Sequence, residues 1–243
     1  TTDLLPSDIL GAQIFDPSAQ NFKFIPGPIF AEIVVADEIN RTPPRTQSAL
    51  LEAMEEKQVT IEGKLLSLSR DFFVIATQNP QDYEGTFALP EVQLDRFFMK
   101  IRVDHSDAKT EQVMLRKILE GKLPPSFDRL QAHGLDREKL DAEIQSVRVD
   151  DSLLEYVTTI VAGTRSHPLL AAGSSVRGGI ATVKAARVRA LARGRNFVNA
   201  DDIKALAILT LPHRVKLTSE ALVSGVTAEN VLDEIVSKLG FPA

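Results

Sequence analysis

The sequence predicts an α/β unit built on a parallel sheet, followed by an all-helical unit. Three observations carry that reading. Two short apolar runs, IVV at 33–35 and FFVIAT at 72–77, are continuous rather than alternating, which suits central strands covered on both faces. A helical pattern lies between them. After His105 no convincing buried strand follows, whereas helical patterns recur to the C-terminus.

The elements follow in order. Residues 4–30 carry Pro6, Gly11, Pro17, Pro26, Gly27 and Pro28 with short apolar pieces between them, which reads as loops and a hairpin pairing QIFD with FKFI. The strand at 32–36 comes next. Thr42 is the expected cap of a helix with Pro43 at its first position. That helix runs to about Lys57, with Leu50, Leu51 and Met54 on its apolar face and Glu52, Glu55 and Glu56 outside. VTIEGKLLSL breaks its alternation at Glu62-Gly63, so it reads as a projecting hairpin. The strand at 72–77 follows, ended by Gln78, Asn79 and Pro80. A short helix precedes Asp95-Arg96, and FMKIRV at 98–103 alternates as a further strand. Helices are expected near 107–120, 151–164, 175–193, 200–210 and 228–239, with Asn199 and Thr227 as N-caps; the segment 126–147 carries no signal that assigns it. The domain expectation is an α/β core over 1–104 and a helical part over 105–243.

Composition narrows the function classes. The 243 residues are 44% hydrophobic and 25% charged, as in a globular protein with a sizeable core. The formal charge of −5 supplies no global drive toward nucleic acid. Cysteine is absent, excluding disulfides and thiolate metal sites, and four scattered histidines argue against a zinc centre. No apolar stretch reaches membrane-spanning length and the first residues do not read as a signal peptide, so cytoplasm is the expected location.

The site candidates sit where the strands end. A carboxylate is costly to bury unpaired, so Asp37 and Glu38 are expected at the exposed C-terminal edge of the sheet, where α/β folds bind ligands. Pro80 restricts the residue before it, so Asn79 caps the second strand at a reproducible position. Arg96 ends the short helix. An Asp-Glu pair, an amide and a guanidinium are what a site needs to hold magnesium, orient a water and neutralise phosphate charge. Each has a plainer reading: a solvated turn for the acids, a strand cap for Asn79, an ion pair with Asp95 or a nearby glutamate for Arg96.

FAEIVVADEINRTPPRTQSALLEAMEEKQVTI, FFVIATQNP and EGTFALPEVQLDRFFMKIRV, in that order, resemble the MoxR family of AAA+ ATPases, and SSVRGG with NFVNADDIKALAILTLPHR resembles the family's lid. The resemblance implies an AAA+ P-loop NTPase core lacking its N-terminal part, then a helical lid. It implies a Walker B pair in which Asp37 holds Mg2+ and Glu38 polarises water, sensor 1 at Asn79, an arginine finger at Arg96 acting on a neighbouring subunit, and sensor 2 at Arg177. Val176 stands where the family usually has proline, which leaves a plain helix-terminus reading open for Arg177. The hairpin around Glu62-Gly63 and the segment 11–28 match family insertions expected to face the pore or a bound partner.

No GxxxxGK[ST] occurs in the 243 residues; the loop that cradles the phosphates is expected upstream of Thr1. The implied function is ATP hydrolysis driving motion in a homo-oligomeric ring, a hexamer, with chaperone-like work on proteins such as partners bearing a von Willebrand A-type domain. A non-hydrolysing scaffold and a nucleic-acid motor are the alternatives. The basic run Lys184 to Arg195 admits a solvated face, a phosphate contact, a subunit contact or a nucleic-acid contact.

Overall fold

The computed structural model describes residues 4–61, 63–79, 86–122 and 136–240. The chain divides into two compact units, Thr1–Phe98 and Met99–Ala243. Glu62, Pro80, Glu84, Gly85 and the first part of 126–147 lie outside the described residues.

The first unit opens with helix α1 (Pro6–Leu10) and the antiparallel hairpin β1 (Gly11–Asp16) and β2 (Asn21–Pro26), in the expected place. Gly11 sits at φ +93°, and a Cβ there would lie 2.3 Å from the Ile25 carbonyl oxygen, so only glycine lets the hairpin close at its base. Strand β3 (Ile33–Ala36) leads to helix α2 (Pro44–Glu56), then to the hairpin β4 (Gln58–Ile61) and β5 (Lys64–Ser67), and to β6 (Phe73–Ala76). β3 and β6 pair in parallel, from Ile33 opposite Phe73 to Ala36 opposite Ala76. The short helix α3 (Glu91–Leu94) ends just before Asp95-Arg96.

The helix start differs by one residue from expectation. The Thr42 hydroxyl donates back to the Ile39 carbonyl at 2.6 Å, closing the turn after β3 instead of capping α2. Pro43 is the N-cap and Pro44 the first helical residue, where a missing N–H costs nothing. At the other end Lys57, at φ +54°, caps the helix; its Nζ donates to the Phe72 carbonyl and lies 5.4 Å from the Phe72 ring centroid. That contact ties the end of α2 to the entry of β6.

Two strand expectations do not hold. Burial of β3 on both faces gives way to alternation: Ile33 is 62% and Val35 64% exposed, as are Phe73 (54%) and Ile75 (47%) on β6. Val34, Ala36, Val74 and Ala76 pack on the core with Ile29, Ile39, Leu50, Leu51 and Phe72, so one face of the pair is covered among the described residues. FMKIRV forms no strand. Strands need a ladder partner, and among the described residues β3 and β6 pair only with each other; the Lys100 N–H donates instead to the Leu209 carbonyl at 2.8 Å, with Val103 89% exposed.

The second unit contains α4 (Ala108–Leu119), α5 (Arg137–Ser146), α6 (Asp151–Ser166), β7 (Leu170–Ala172), α7 (Val176–Ala192), α8 (Ala200–Thr210), β8 (Lys216–Leu217), α9 (Ser219–Val223) and α10 (Ala228–Lys238). β7 and β8 form a small antiparallel pair beside the helices. Its core joins Tyr156, Ile160, Ala186, Ile203, Leu211, Val231 and Leu232 from α6, α7, α8, the turn after α8, and α10. Small residues let α7 and α8 approach closely: a Cβ on Gly178 would lie 2.2 Å from Ser174 Oγ and 2.7 Å from Leu211 Cδ2. Asn199 and Thr227 cap α8 and α10, each in a reciprocal capping box. No helix among the described residues is long and apolar enough to cross a membrane.

Asp202 is the polar anchor of this core. It is 1% exposed, takes both guanidinium nitrogens of Arg195 at 2.7 and 2.8 Å, lies 3.4 Å from Arg189 Nε, and accepts the Asn199 N–H at 3.0 Å. Burial pushes its pKa up, but the Arg195 hydrogen bonds, the Asn199 N–H and the two arginine charges outweigh that and hold it below the usual carboxylate value. A group with a depressed folded-state pKa contributes stability that is whole above its unfolded value and is lost as pH falls through the folded one. Unfolding measured against pH should therefore show second-unit stability declining below about pH 4. Asp202→Ala should remove roughly 3 kcal/mol, the low end for stripping one partner from a buried pair, and should flatten that acid limb.

Candidate active site at the ends of β3 and β6

The parallel register sets Asp37 beside Thr77, one residue past the last pair, Ala36 and Ala76. Thr77 then stitches the two strand ends together. Its N–H donates to the Ala36 carbonyl at 3.0 Å and its carbonyl accepts the Ile39 N–H at 3.0 Å. Its hydroxyl donates to Asp37 Oδ1 at 2.5 Å and accepts the Glu38 N–H at 2.8 Å. The second oxygen of Asp37 is uncommitted, and Asp37, Thr77 and Asn79 are all exposed.

Glu38 occupies the left-handed region at φ +50°, ψ +51°, which costs a residue bearing a Cβ about 1–2 kcal/mol. Two hydrogen bonds from the neighbouring strand hold the turn there, so the strain is overdetermined, a pattern typical of working sites. One Glu38 oxygen takes Arg41 Nη1 at 3.1 Å in a half-exposed pair. The other is open.

Behind the acids lies a buried amide pair. Asn40, 9% exposed, donates from Nδ2 to the Asn79 carbonyl at 3.2 Å, and its own carbonyl accepts the Phe87 N–H at 2.6 Å. Its Oδ1 is buried without a donor among the described residues. Gln47, 1% exposed on α2, donates from Nε2 to the Ile39 and Phe87 carbonyls at 3.1 and 3.2 Å. The turn after β3, the segment after β6 and the approach to α3 are thus fixed from one side by two amides.

The structure brings Asp37, Glu38 and Asn79 together at one sheet edge. Arg96, in the same unit, pairs through Nε with Glu55 Oε2 at 3.1 Å, both side chains about a third exposed. The glutamate pairing weighed from sequence is therefore formed. Arg177 is an exposed residue in the first turn of α7 in the second unit. Thr77 and Gln47 escaped the sequence reading; Thr77 was legible only through register, since pairing the two apolar runs end to end puts a hydroxyl beside Asp37. The described residues hold no cluster of three or more His, Asp or Glu able to bind a metal unaided. They do fit magnesium held mainly through water, which takes one or two carboxylates and substrate phosphate oxygens, because Asp37 presents one open, exposed oxygen.

Residues 1–99 match the family model of the ATPase family associated with various cellular activities (AAA), and residues 162–235 match that of the AAA lid domain. The chain is 48% identical to the uncharacterized protein YeaC of Bacillus subtilis over 100% of its own length and 75% of that protein's. It is 35% identical to the chaperone MoxR1 of Mycobacterium tuberculosis, covering 100% of this chain and 66% of the relative. Its fold superposes on the crystal structure of a putative ATPase from Cytophaga hutchinsonii with a TM-score of 0.88 at 35% identity, over 99% of this chain and 76% of that one. A matching ATPase domain that carries the paired-acid strand edge, followed by a matching lid, means that this chain belongs to the AAA ATPases.

Proposed function

We propose that the chain is the hydrolytic and lid portion of a MoxR-type ATPase that couples ATP hydrolysis to remodelling or maturation of partner proteins. The observation that carries this is the Thr77 clasp, which holds one open oxygen each of Asp37 and Glu38 on an exposed strand edge. In this reading Asp37 holds magnesium through its waters, and the ion supplies charge neutralisation at the phosphates. Glu38 polarises the attacking water and Asn79 positions it. Arg96 serves the active site of an adjacent subunit in a hexameric ring, and Arg177 contributes from the lid. The likeness to MoxR1, a chaperone by name, supports the protein-directed role. So does the β1–β2 hairpin, which exposes Ile14, Phe15, Phe22 and Ile25 where a partner, for example one with a von Willebrand A-type domain, would meet them.

Glu38→Gln should keep nucleotide binding and lose nearly all turnover, because an amide retains the shape but not the basicity. Titration with a fluorescent ATP analogue beside phosphate release measures both; equal loss of the two would assign Glu38 to shaping the pocket.

The phosphate grip is proposed to come from a Gly-rich Lys-Ser/Thr loop outside these 243 residues. The relatives are longer than this chain, and the open apolar face at Ile33, Val35, Phe73 and Ile75 is what a further covering layer would bury. Sequencing of the gene around this region should find that loop; a complete gene product without the lysine would favour a non-hydrolysing scaffold, the second reading, which the Arg96–Glu55 pair also supports.

Arg96 separates the two readings by magnitude. An arginine delivered to developing phosphate charge is worth roughly 10³–10⁵ in rate, whereas a partly exposed ion pair is worth about 0–1 kcal/mol. Arg96→Ala should fold, bind nucleotide and hydrolyse very slowly, and mixing it with Glu38→Gln protein should restore part of the rate through interfaces with an intact acid and an intact arginine. ATPase rate against mixing ratio, with assembly followed by ultracentrifugation, measures this. Normal turnover by Arg96→Ala would make it scaffolding.

A further inference from the structure

The basic run along α7 and just past its end divides sharply in the structure. Arg189 and Arg195 are spent on Asp202, and Arg195 also covers the Phe197 ring at 5.9 Å. Lys184 and Arg193 are exposed. Arg187 does neither: its Nε is buried without a hydrogen-bond acceptor among the described residues, and no other group pairs with it there. A charged donor buried without an acceptor is destabilising, and this one faces a groove of about 610 Å³ within the second unit.

That groove is lined by Gln145, Arg148, Asp150, Arg187, Phe197 and Val198, among others. Its frame is rigid. The Arg148 N–H donates to the Asn196 carbonyl at 2.9 Å and the Val198 N–H returns to the Arg148 carbonyl at 2.9 Å, so the two walls are joined as a parallel bridge. The Arg148 guanidinium, like that of Arg187, has no partner among the described residues. Phe197 is 47% exposed beside them. Asp150, the acid among the lining residues, turns one oxygen to the start of α6 as its cap, accepting the Ser152 N–H at 3.1 Å and its hydroxyl at 2.9 Å.

We propose that this groove is a binding site for an acidic peptide segment, whose carboxylate lies with the Arg148 and Arg187 guanidiniums and whose neighbouring apolar side chain covers Phe197. Planar guanidiniums match carboxylates in a two-pronged hydrogen-bonded geometry. The groove is far larger than an inorganic anion, and the Asp150 charge on its rim disfavours a doubly charged phosphate more than a single carboxylate. The half-exposed ring adds an apolar contact that phosphate cannot use. The segment belongs to a protein partner, and the site is separate from the paired acids at the end of β3.

The test follows the arginine Nε–H resonances of the isotope-labelled full chain during titration with acetyl-Leu-Glu-Leu-amide, acetyl-Leu-Gln-Leu-amide or inorganic phosphate. The glutamate peptide should give saturable shifts at Arg148 and Arg187. The glutamine peptide should bind at least about tenfold more weakly, as loss of a charge-assisted hydrogen bond requires, and so should Arg148→Gln and Arg187→Gln proteins. Arg193→Gln should leave binding unchanged. Arg148 is exposed, so its variant reports even if Arg187→Gln unfolds, and Arg187→Lys tests the fork with the charge retained. Equal binding of the two peptides, absence of saturable shifts, or phosphate binding more tightly than the glutamate peptide would each overturn the proposal.

Discussion

A single hydroxyl organises the first unit's chemistry. Thr77 bridges two strands that a helix and a hairpin separate by about forty residues of chain, and it does so with its amide, its carbonyl and both roles of its hydroxyl. Without that clasp, two adjacent carboxylates at a strand end would repel each other and relax into solvent, and Glu38 would leave the left-handed conformation that local energetics disfavour. The clasp works because β6 lies parallel to β3 in the one register that puts a threonine opposite an aspartate. Everything beneath it serves that register, from the Lys57 contact with Phe72 to the Gln47 amide under the turn.

The second unit is stabilised by a different device. Its helices pack through small residues, so α7 and α8 lie close enough for Thr182 and Thr210 to share a hydrogen bond at 2.7 Å in the interior. A polar group drawn into such packing is stable only with a hydrogen-bond partner. Asp202 meets that condition by joining a capping box to two arginines, so one carboxylate fixes both the start of α8 and the end of α7. The same economy explains why Arg187 stands out. It is a cation in the same run that the fold has not used internally.

An AAA domain and lid define an architecture typical of ATPases, but the activity of any member depends on groups that a fold assignment does not itself supply. In this chain the paired acids and the amides behind them are assembled within one unit. Arg96 is held by Glu55, an interaction weak enough in water for the arginine to exchange it for a stronger anion.

The sequence by itself determined the order of the elements it placed, the limits of five helices in the second unit (α4, α6, α7, α8 and α10, but not α5 or α9) and the position of the acids at a strand end. Those properties rest on local signals: continuous apolar runs, prolines, and caps such as Asn199 and Thr227 whose side chains bond three residues onward. It overstated the strands. Alternating or apolar residues at 98–103 and on both faces of β3 state a capacity for pairing and burial, and whether a partner strand or a covering layer is present is not encoded in the segment. Only the tertiary structure decided that Thr77 clasps Asp37 and Glu38, that Arg96 meets Glu55, and that the basic run splits between Asp202 and an open groove. Each of these depends on register or helix rotation between segments distant in the chain, and a shift of one residue would turn the same side chains to other neighbours.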